Sequence, residues 1–561
     1  MRASVALPSS ADVAERATAW CTRAAAIAQR RRWWIVGLCI LGQWGFLWHE
    51  IPKISHNGWL FSDGDDGPWY WTSAWAQTSL HVPITAVGPG WPYLLTPLAA
   101  IFGPNMANGL PAVIALNVLV LGPAAVVGMF LLGERIAGRL FGVWCVVLWT
   151  LMPGLAIGLY GPTHRTYLVD FFLPTATGLN TLADYPSMVC AIFCAYLVLR
   201  AMDSNTFQDG VFAGILLGFL VLLKPANGPL ALSAALVLAL TLRFRTLGAA
   251  LVGMVPAVIA LTLWKKTGIG HVPLFALSTT REAMGAAAAP LASIAPYFRF
   301  DWSHTQSNIN ALREVFWSLR LLEFLLVAGT VGLIARARAR GALIVGWFLL
   351  FVLIKATVSY AGVYDTSVYR FLLPAWPAWV LIVAGVVFCW PIGARKRAQK
   401  LGAATQFGPT RRWLPIAAAV LLAAGPLAVA IAASPIPADS VVQINLGSFT
   451  GPPVPVISFR LTAHRVAPHT VRLTWADQGT PGTLTSYQVY KGTDSGCTHL
   501  EGAAPVCFLD LSVIGMTKKT SFEDNQAEGR VEYRVGFGPG PRLQPDTPAL
   551  LLVSKPATVT R

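Results

Sequence analysis

The sequence predicts a mainly α, polytopic membrane protein of about eleven transmembrane helices, followed by an extracytoplasmic β-sandwich. Three observations predict it. Of the 561 residues, 55% are hydrophobic and only 12% charged, with positive mean hydropathy, a composition of bilayer-embedded chains. The apolar residues gather in runs of near-membrane length, which hydrocarbon forces into helices because the backbone finds no other hydrogen-bond partner there. From about Val456 these runs give way to short alternating segments bounded by turn residues.

The expected spans are 33–50, 109–132, 140–158, 184–200, 210–223, 228–242, 247–264, 319–334, 342–358, 371–391 and 413–433. Between 209 and 243, Pro225, Gly228 and Pro229 break the run and argue for two short helices rather than one. Charge fixes the orientation. With residues 1–32 as a cytosolic tail ending in Arg30-Arg31-Arg32, the inner segments carry twenty Arg and Lys. The outer loops 51–108, 159–183, 265–318 and 359–370, with the outer helix ends, carry nine: Lys53, Arg165, Lys224, Lys265, Lys266, Arg281, Arg299, Arg313 and Arg370. That is the positive-inside bias. Merging the two short helices would put the 395–412 cluster outside, so eleven spans fit better. Trp33 onward behaves as a signal anchor rather than a cleaved leader. The net charge of +16 is thereby explained by orientation, and no recognition motif accompanies it to suggest nucleic acid.

Residues 33–435 thus form a transmembrane domain, 436–455 a linker, and 456–561 a sandwich. The tail segments "VRLTWADQ", "SYQVYKG", "TSFED", "GRVEYRVGFG" and "ALLLVSKP" are strand-like. With Trp475 on an early strand and Tyr533 on a late one, the tail resembles a fibronectin type III domain. Cys497 and Cys507 lie in its polar part and are placed to close a hairpin disulfide in an oxidising compartment. Cys21, Cys39, Cys145, Cys190, Cys194 and Cys389 lie in or beside apolar segments and read as small hydrophobes, with no metal-site spacing.

The chemistry-bearing stretch is "SDGDDGPWYW", Ser62 to Trp71, at the start of the long first outer loop. Asp63, Asp65 and Asp66 read either as a hydrated turn or as an acid cluster at the membrane surface. The helix expected from Pro68 to Leu80 groups Trp71, Trp75 and Thr78 and suits headgroup depth. "GPGWPYLLTPLAAIFG", Gly88 to Gly103, then leads back into the bilayer. Three further pieces follow in order: "LADYPSMVCAIFCAYLVLR" from Leu182, "GILLGFLVLLKPANGPLAL" from Gly214, and "YRFLLPAWPAWVL" from Tyr369.

Together these segments, across roughly residues 60–385, resemble the GT-C superfamily of glycosyltransferases. Within it they look most like the polyprenyl-phosphate-sugar-dependent enzymes, among them protein O-mannosyltransferases and lipid A aminoarabinose transferase. Two departures stand out: Asp65-Asp66 replaces the usual Asp-Glu, and Thr96 stands where some relatives carry a lysine.

The resemblance implies transfer of a sugar from a polyprenyl phosphate to an extracytoplasmic acceptor (glycan, glycolipid or protein) with inversion. Membrane lipids are the other partner. Asp65 is the expected base, Asp66 its orienting neighbour and Asp63 a reserve. Asp184 either caps its helix or faces the pocket, and Asp170 is a lesser alternate. Lys224, Arg370 and Lys355 are the candidates for the donor phosphate. Lys355 enters on physical grounds alone, as a lysine one turn inside a span that must snorkel or meet an anion. His164, Tyr297, Arg299 and His304 are candidates for acceptor contacts or a lid. No cofactor is required; a divalent cation on the acids is compatible with the chemistry. The expected location is a bacterial inner (plasma) membrane, with the N-terminus cytoplasmic and the sandwich periplasmic or extracellular. The rival functions are a lipid-linked-sugar flippase and a non-catalytic envelope assembly protein. Against a transporter, no duplicated halves are visible and the acids cluster in outer loops rather than at mid-bilayer.

Overall fold

The computed structural model describes residues 10–55, 66–84, 87–270, 301–315, 319–355, 362–364, 367–389, 413–444, 452–478, 485–492, 497–498, 504–509, 512–539 and 550–559. The chain is mainly helical as far as Ala432 and β-rich beyond it. Among the described residues, five helical runs are long and apolar enough to cross a membrane: Met106–Ala137, Arg139–Leu159, Asp184–Ser204, Phe244–Ile269 and Ser367–Cys389.

The first helices are α1 (Ser10–Glu50), α2 (Gly67–Gln77), α3 (Gly90–Phe102), α4 (Met106–Ala115) and α5 (Gly122–Ala137), the last two joined by a π-turn at Leu116–Leu121. Then come α6 (Arg139–Leu159), α7 (Asp184–Ser204), α8 (Phe207–Leu223), α9 (Gly228–Leu240) and α10 (Phe244–Ile269). After these lie α11 (Trp302–Val315), α12 (Leu319–Arg336), α13 (Arg338–Lys355), α14 (Ser367–Leu372), α15 (Trp376–Ala384) and α16 (Trp413–Ala432). The boundaries have local causes. Gly138, at φ 95°, turns the chain between α5 and α6. The Thr206 hydroxyl accepts the Asp209 amide and starts α8, and Lys224 ends it in extended backbone before Pro225. The region 209–243 is therefore two helices. Small residues seat α8 on α10: a Cβ at Gly214 would overlap the Ala250 carbonyl, and Gly253 lies as closely against Val211.

The C-terminal region packs two sheets. Strands β5 (Thr462–Ala467), β6 (Thr470–Thr474) and β11 (Ser521–Asp524) form one, in the order β11-β6-β5. The other runs β10 (Ser512–Thr517), β7 (Thr485–Gly492), β12 (Val531–Pro539) and β13 (Leu552–Ser554), with β14 (Ala557–Val559) beside β12. Trp475 and Tyr533 are both buried between them. The Tyr533 hydroxyl donates to Asp524 Oδ2 at 2.7 Å, and Lys491 Nζ lies 2.8 Å from the same oxygen. Burial alone would push the Asp524 carboxyl up; hydrogen bonds from Lys491, Tyr533 and the Gln526 amide outweigh it and hold the carboxyl below the ordinary value.

Two expectations change. The segment 436–455 is not a plain linker: β3 (Val441–Ile444) and β4 (Val454–Ile457) extend the larger sheet, β4 pairing with β13 and β3 with β9 (Val506–Leu509). These pairings are non-local, so local composition did not announce them. Nor does α2 lie open at headgroup depth. All of its residues except Trp75 are buried, because protein covers them. Strand β1 (His81–Val82), just past α2, pairs in parallel with β2 (Ser434–Pro435), and Ala76 and Ile84 pack with Ile436, Val441 and Ala504 of the C-terminal region. The Ala504 amide also donates to the Thr267 carbonyl near the end of α10.

Cys497 and Cys507 form a disulfide between β8 (Cys497–Thr498) and β9. Asp439 lies beside it. These three groups do not suit a metal, since sulfurs bonded to each other are not thiolates. Of the cysteines expected to be buried, Cys389 is exposed.

Candidate active site

Four elements distant in sequence converge on Asp184. It opens α7 in the first turn, where the helix dipole favours a carboxylate and Pro186 needs no amide partner. Ala183 occupies the N-cap position and Asp184 makes no capping bond, so its side chain is directed elsewhere. Lys224 Nζ donates to Asp184 Oδ1 at 2.5 Å, and Arg370 Nε donates to Asp184 Oδ2 at 3.2 Å. Arg370 Nη2 pairs in addition with Asp66 Oδ2. One guanidinium therefore joins the acid of the first outer loop to the acid of α7, across 186 residues of chain in the second case. Lys355, at the described end of α13, is 3% exposed and within electrostatic reach of Lys224 and Asp184.

The neighbourhood holds these groups in place. Gly88 and Gly90 lie against the backbone of Leu222 and Leu223, where any Cβ would collide, so α3 begins on the turn that presents Lys224. The Trp91 indole donates to the Thr181 carbonyl at 2.7 Å. Asn117, fully buried in the π-turn, donates to the carbonyls of Gly178 and Asn180 at 2.9 and 3.0 Å. Both contacts fix the loop that delivers Asp184. Phe371 places its ring 5.5 Å from Lys224 Nζ. On the α1 side, Trp44, Trp149, Phe172, Tyr185 and Trp376 line an apolar cavity of about 40 Å³; Tyr185 follows Asp184 in α7.

Of the expected site residues, Asp66, Asp184, Lys224, Arg370 and Lys355 are brought together. Asp63, Asp65, Tyr297 and Arg299 lie outside the described residues. His164 packs edge-on to Tyr160 at 6.3 Å between ring centroids, and His304 contacts Asn308 and, through its amide, Asp301. No described contact carries either histidine to Asp184. Thr96 bonds Gln77 and the Pro92 carbonyl, tying α3 to α2. Sequence reasoning missed Tyr70. It is buried in α2, and burial, with the Asp184 charge adding to it, pushes its phenol well above the ordinary value. Its position four residues after Asp66 was the available signal, lost in a run of aromatics.

Lys224 and Arg370 match the charges of the two carboxylates, Asp66 and Asp184, and Lys355, where it is protonated, adds one positive charge to the described cluster. Such a cluster can hold an anion while keeping carboxylates at hand.

No protein-family model matches the chain, and no curated protein does. Among solved structures it is similar to the archaeal oligosaccharyltransferase AglB from Archaeoglobus fulgidus in complex with an inhibitory peptide and a dolichol-phosphate. That pair is 13% identical with a TM-score of 0.38, over 74% of this chain and 57% of the other. The apo form of the Archaeoglobus fulgidus oligosaccharyltransferase is 14% identical, with a TM-score of 0.35 over 71% and 56%. The form tethered to an acceptor peptide containing the NVT sequon is 12% identical, with a TM-score of 0.38 over 73% and 56%. The chain spans just over half the length of these proteins. A likeness this loose assigns no chemistry to this chain.

Proposed function

We propose that the chain is a membrane glycosyltransferase of GT-C type. It transfers a sugar from a polyprenyl-phosphate donor to an extracytoplasmic acceptor, a glycan, glycolipid or protein. The observation that carries this reading is the meeting of Asp66 and Asp184 on one arginine, with Lys224 and Lys355 beside them. A buried lysine and two half-sheltered cations suit a lipid-borne phosphate, which must leave as an anion. The order of sequence segments resembling GT-C enzymes supports the same reading. The positive-inside charge bias supports a site on the outer side of the membrane, and the Ala/Gly/Arg-rich composition without an Asn-x-Ser/Thr site supports a bacterial inner membrane.

In the reaction, the acceptor hydroxyl or amine attacks C1 of the sugar from the face opposite the phosphate. Its proton passes to a carboxylate, for which Asp65 is the assigned base; Asp66, committed to Arg370, orients the loop. The bond from C1 to the phosphate oxygen breaks with inversion, and the electron pair leaves on polyprenyl phosphate, whose charge Lys224, Arg370 and Lys355 take up. A divalent cation is compatible with the site, and no step requires one.

Incubating purified protein in vesicles with a polyprenyl-phosphate sugar tests the reading. Acceptor-dependent release of free polyprenyl phosphate is expected, and it should disappear in the Asp65→Asn/Asp66→Asn variant. Movement of intact donor between leaflets with no bond broken would mark a flippase. Release that persists unchanged in the double variant would remove the proposed site.

A further inference from the structure

We infer that the C-terminal β region is a positioning element for sugar transfer, acting by holding α2 where Asp66 meets Arg370. This deepens the transferase reading and rests on it. Local forces do not fix α2. It has eleven residues, opens on Gly67-Pro68 and continues with Trp69, Tyr70, Trp71, Thr72 and Ser73, types that favour a helix only weakly. Helices this short are marginal on their own. Asp66 occupies the N-cap position, yet its side chain makes no capping bond and goes to Arg370 instead. Tertiary contacts therefore set where α2 lies.

The C-terminal region supplies such contacts at the far end of the helix. Past Gln77 the chain turns at Leu80, held at φ 54°, a left-handed conformation that a leucine adopts only under constraint. Strand β2 provides the constraint. The Leu80 carbonyl accepts the Ser434 amide at 3.0 Å, and the Val82 carbonyl accepts the Ile436 amide at 3.0 Å. Beside this ladder, Ala76 of α2 and Ile84 share one buried cluster with Ile436, Val441 and Ala504, and Trp75 packs against it. The Ala504 amide donates to the Thr267 carbonyl at 3.2 Å, so the same patch also grips the end of α10. Three separate stretches of the C-terminal chain thus meet the membrane domain at one place. One end of α2 is held by Arg370 through Asp66, and the other by β2. Release of the second end lets the helix tilt and carries Asp66 away from its place beside Asp184. A misplacement of about 1 Å can cost about a hundredfold in rate.

The test uses the full chain with Ile436→Asp, Ile436→Val, Ile84→Asp and the Ile84→Asp/Ile436→Asp pair. A carboxylate buried in the apolar cluster is costly, so either aspartate should open the contact. For Ile436→Asp, kcat should fall by about tenfold to a hundredfold. KM for the donor should stay nearly unchanged, because Lys224 and Arg370 keep their places on Asp184. Ile436→Val should keep most of the rate. The pair should be no slower than the slower single variant, since both open the same contact. Amide exchange in peptides covering 67–82 should speed up in the aspartate variants, while peptides from α7 stay unchanged. Additive losses, unchanged exchange at 67–82, a valine as slow as the aspartate, or a defect confined to KM would overturn the inference. If Ile436→Asp does not fold, Ser434→Pro decides, because Ser434 is exposed and proline removes the amide that donates to Leu80. Wild-type rate and exchange in that variant would overturn the inference. A wild-type chain without transfer would count against the functional reading, while exchange at 67–82 would still decide the clamp.

Discussion

Arg370→Ala is expected to slow sugar transfer by about a hundredfold to a thousandfold, the range seen when one preorganised donor to a developing charge is removed. The guanidinium does two things at once. It donates to Asp184 Oδ2 through Nε, and through Nη2 it pairs with Asp66, so it sets the spacing between the acid of the loop and the acid of α7. Without it the carboxylates repel each other, Lys224 is left as the closest described cation on Asp184, and one charge is lost from the phosphate side. Arg370→Lys should restore little. An ammonium is a point charge on a flexible stem and cannot offer two separate N–H edges to acids on different elements. Initial rates at saturating and limiting donor separate the outcomes. A full rescue by lysine would mean that charge alone matters and that the two-acid bridge is incidental.

Asp184→Ala is expected to destabilise the membrane domain by about 3–5 kcal/mol, the cost of breaking a buried ion pair from one side. The Asp184 side chain is 1% exposed, while Lys224 and Arg370 keep 16% and 20%. Removing the acid strands Lys224 beside Lys355 and leaves Arg370 with Asp66 as its described partner. The reverse change, Lys224→Met, should cost less, since Asp184 keeps Arg370 and a methionine fills the lysine's stem volume. Combining Asp184→Asn with Lys224→Met should then recover part of the loss from Asp184→Asn alone, because it removes the ammonium that the lost carboxylate leaves uncompensated. Thermal unfolding in nanodiscs reads all four proteins on one scale. Strictly additive losses would show that the pair does not couple.

How far these residues could be read in advance depended on the range of the interaction. Helices declared themselves through apolar length, and the stop at Lys224 through Pro225, because both causes lie within a few residues. Lys355 stood out for a similar reason: a lysine inside an apolar helix requires an anion or an escape to water. What the chain did not reveal locally was that Lys224 and Arg370 share one carboxylate, with Lys355 in electrostatic reach of it. Asp184 and Arg370 are 186 residues apart, and only the packed bundle brings them together. The same distance problem hid the contact of Asp170 with Ser55, 115 residues upstream. In α2 the obstacle was chemical ambiguity. Tryptophan and tyrosine suit a headgroup layer and a protein interface equally well, and the β1–β2 pairing decided for protein.

The most direct measurement is equilibrium binding of polyprenyl phosphate, compared with the same polyprenol lacking phosphate, to the wild-type chain and to Lys355→Met in nanodiscs. If the cluster around Asp184 holds a lipid-borne phosphate, the phosphorylated lipid binds the wild type at least about tenfold more tightly than the alcohol, and Lys355→Met narrows that gap. Equal affinity for both lipids in the wild type would contradict the site.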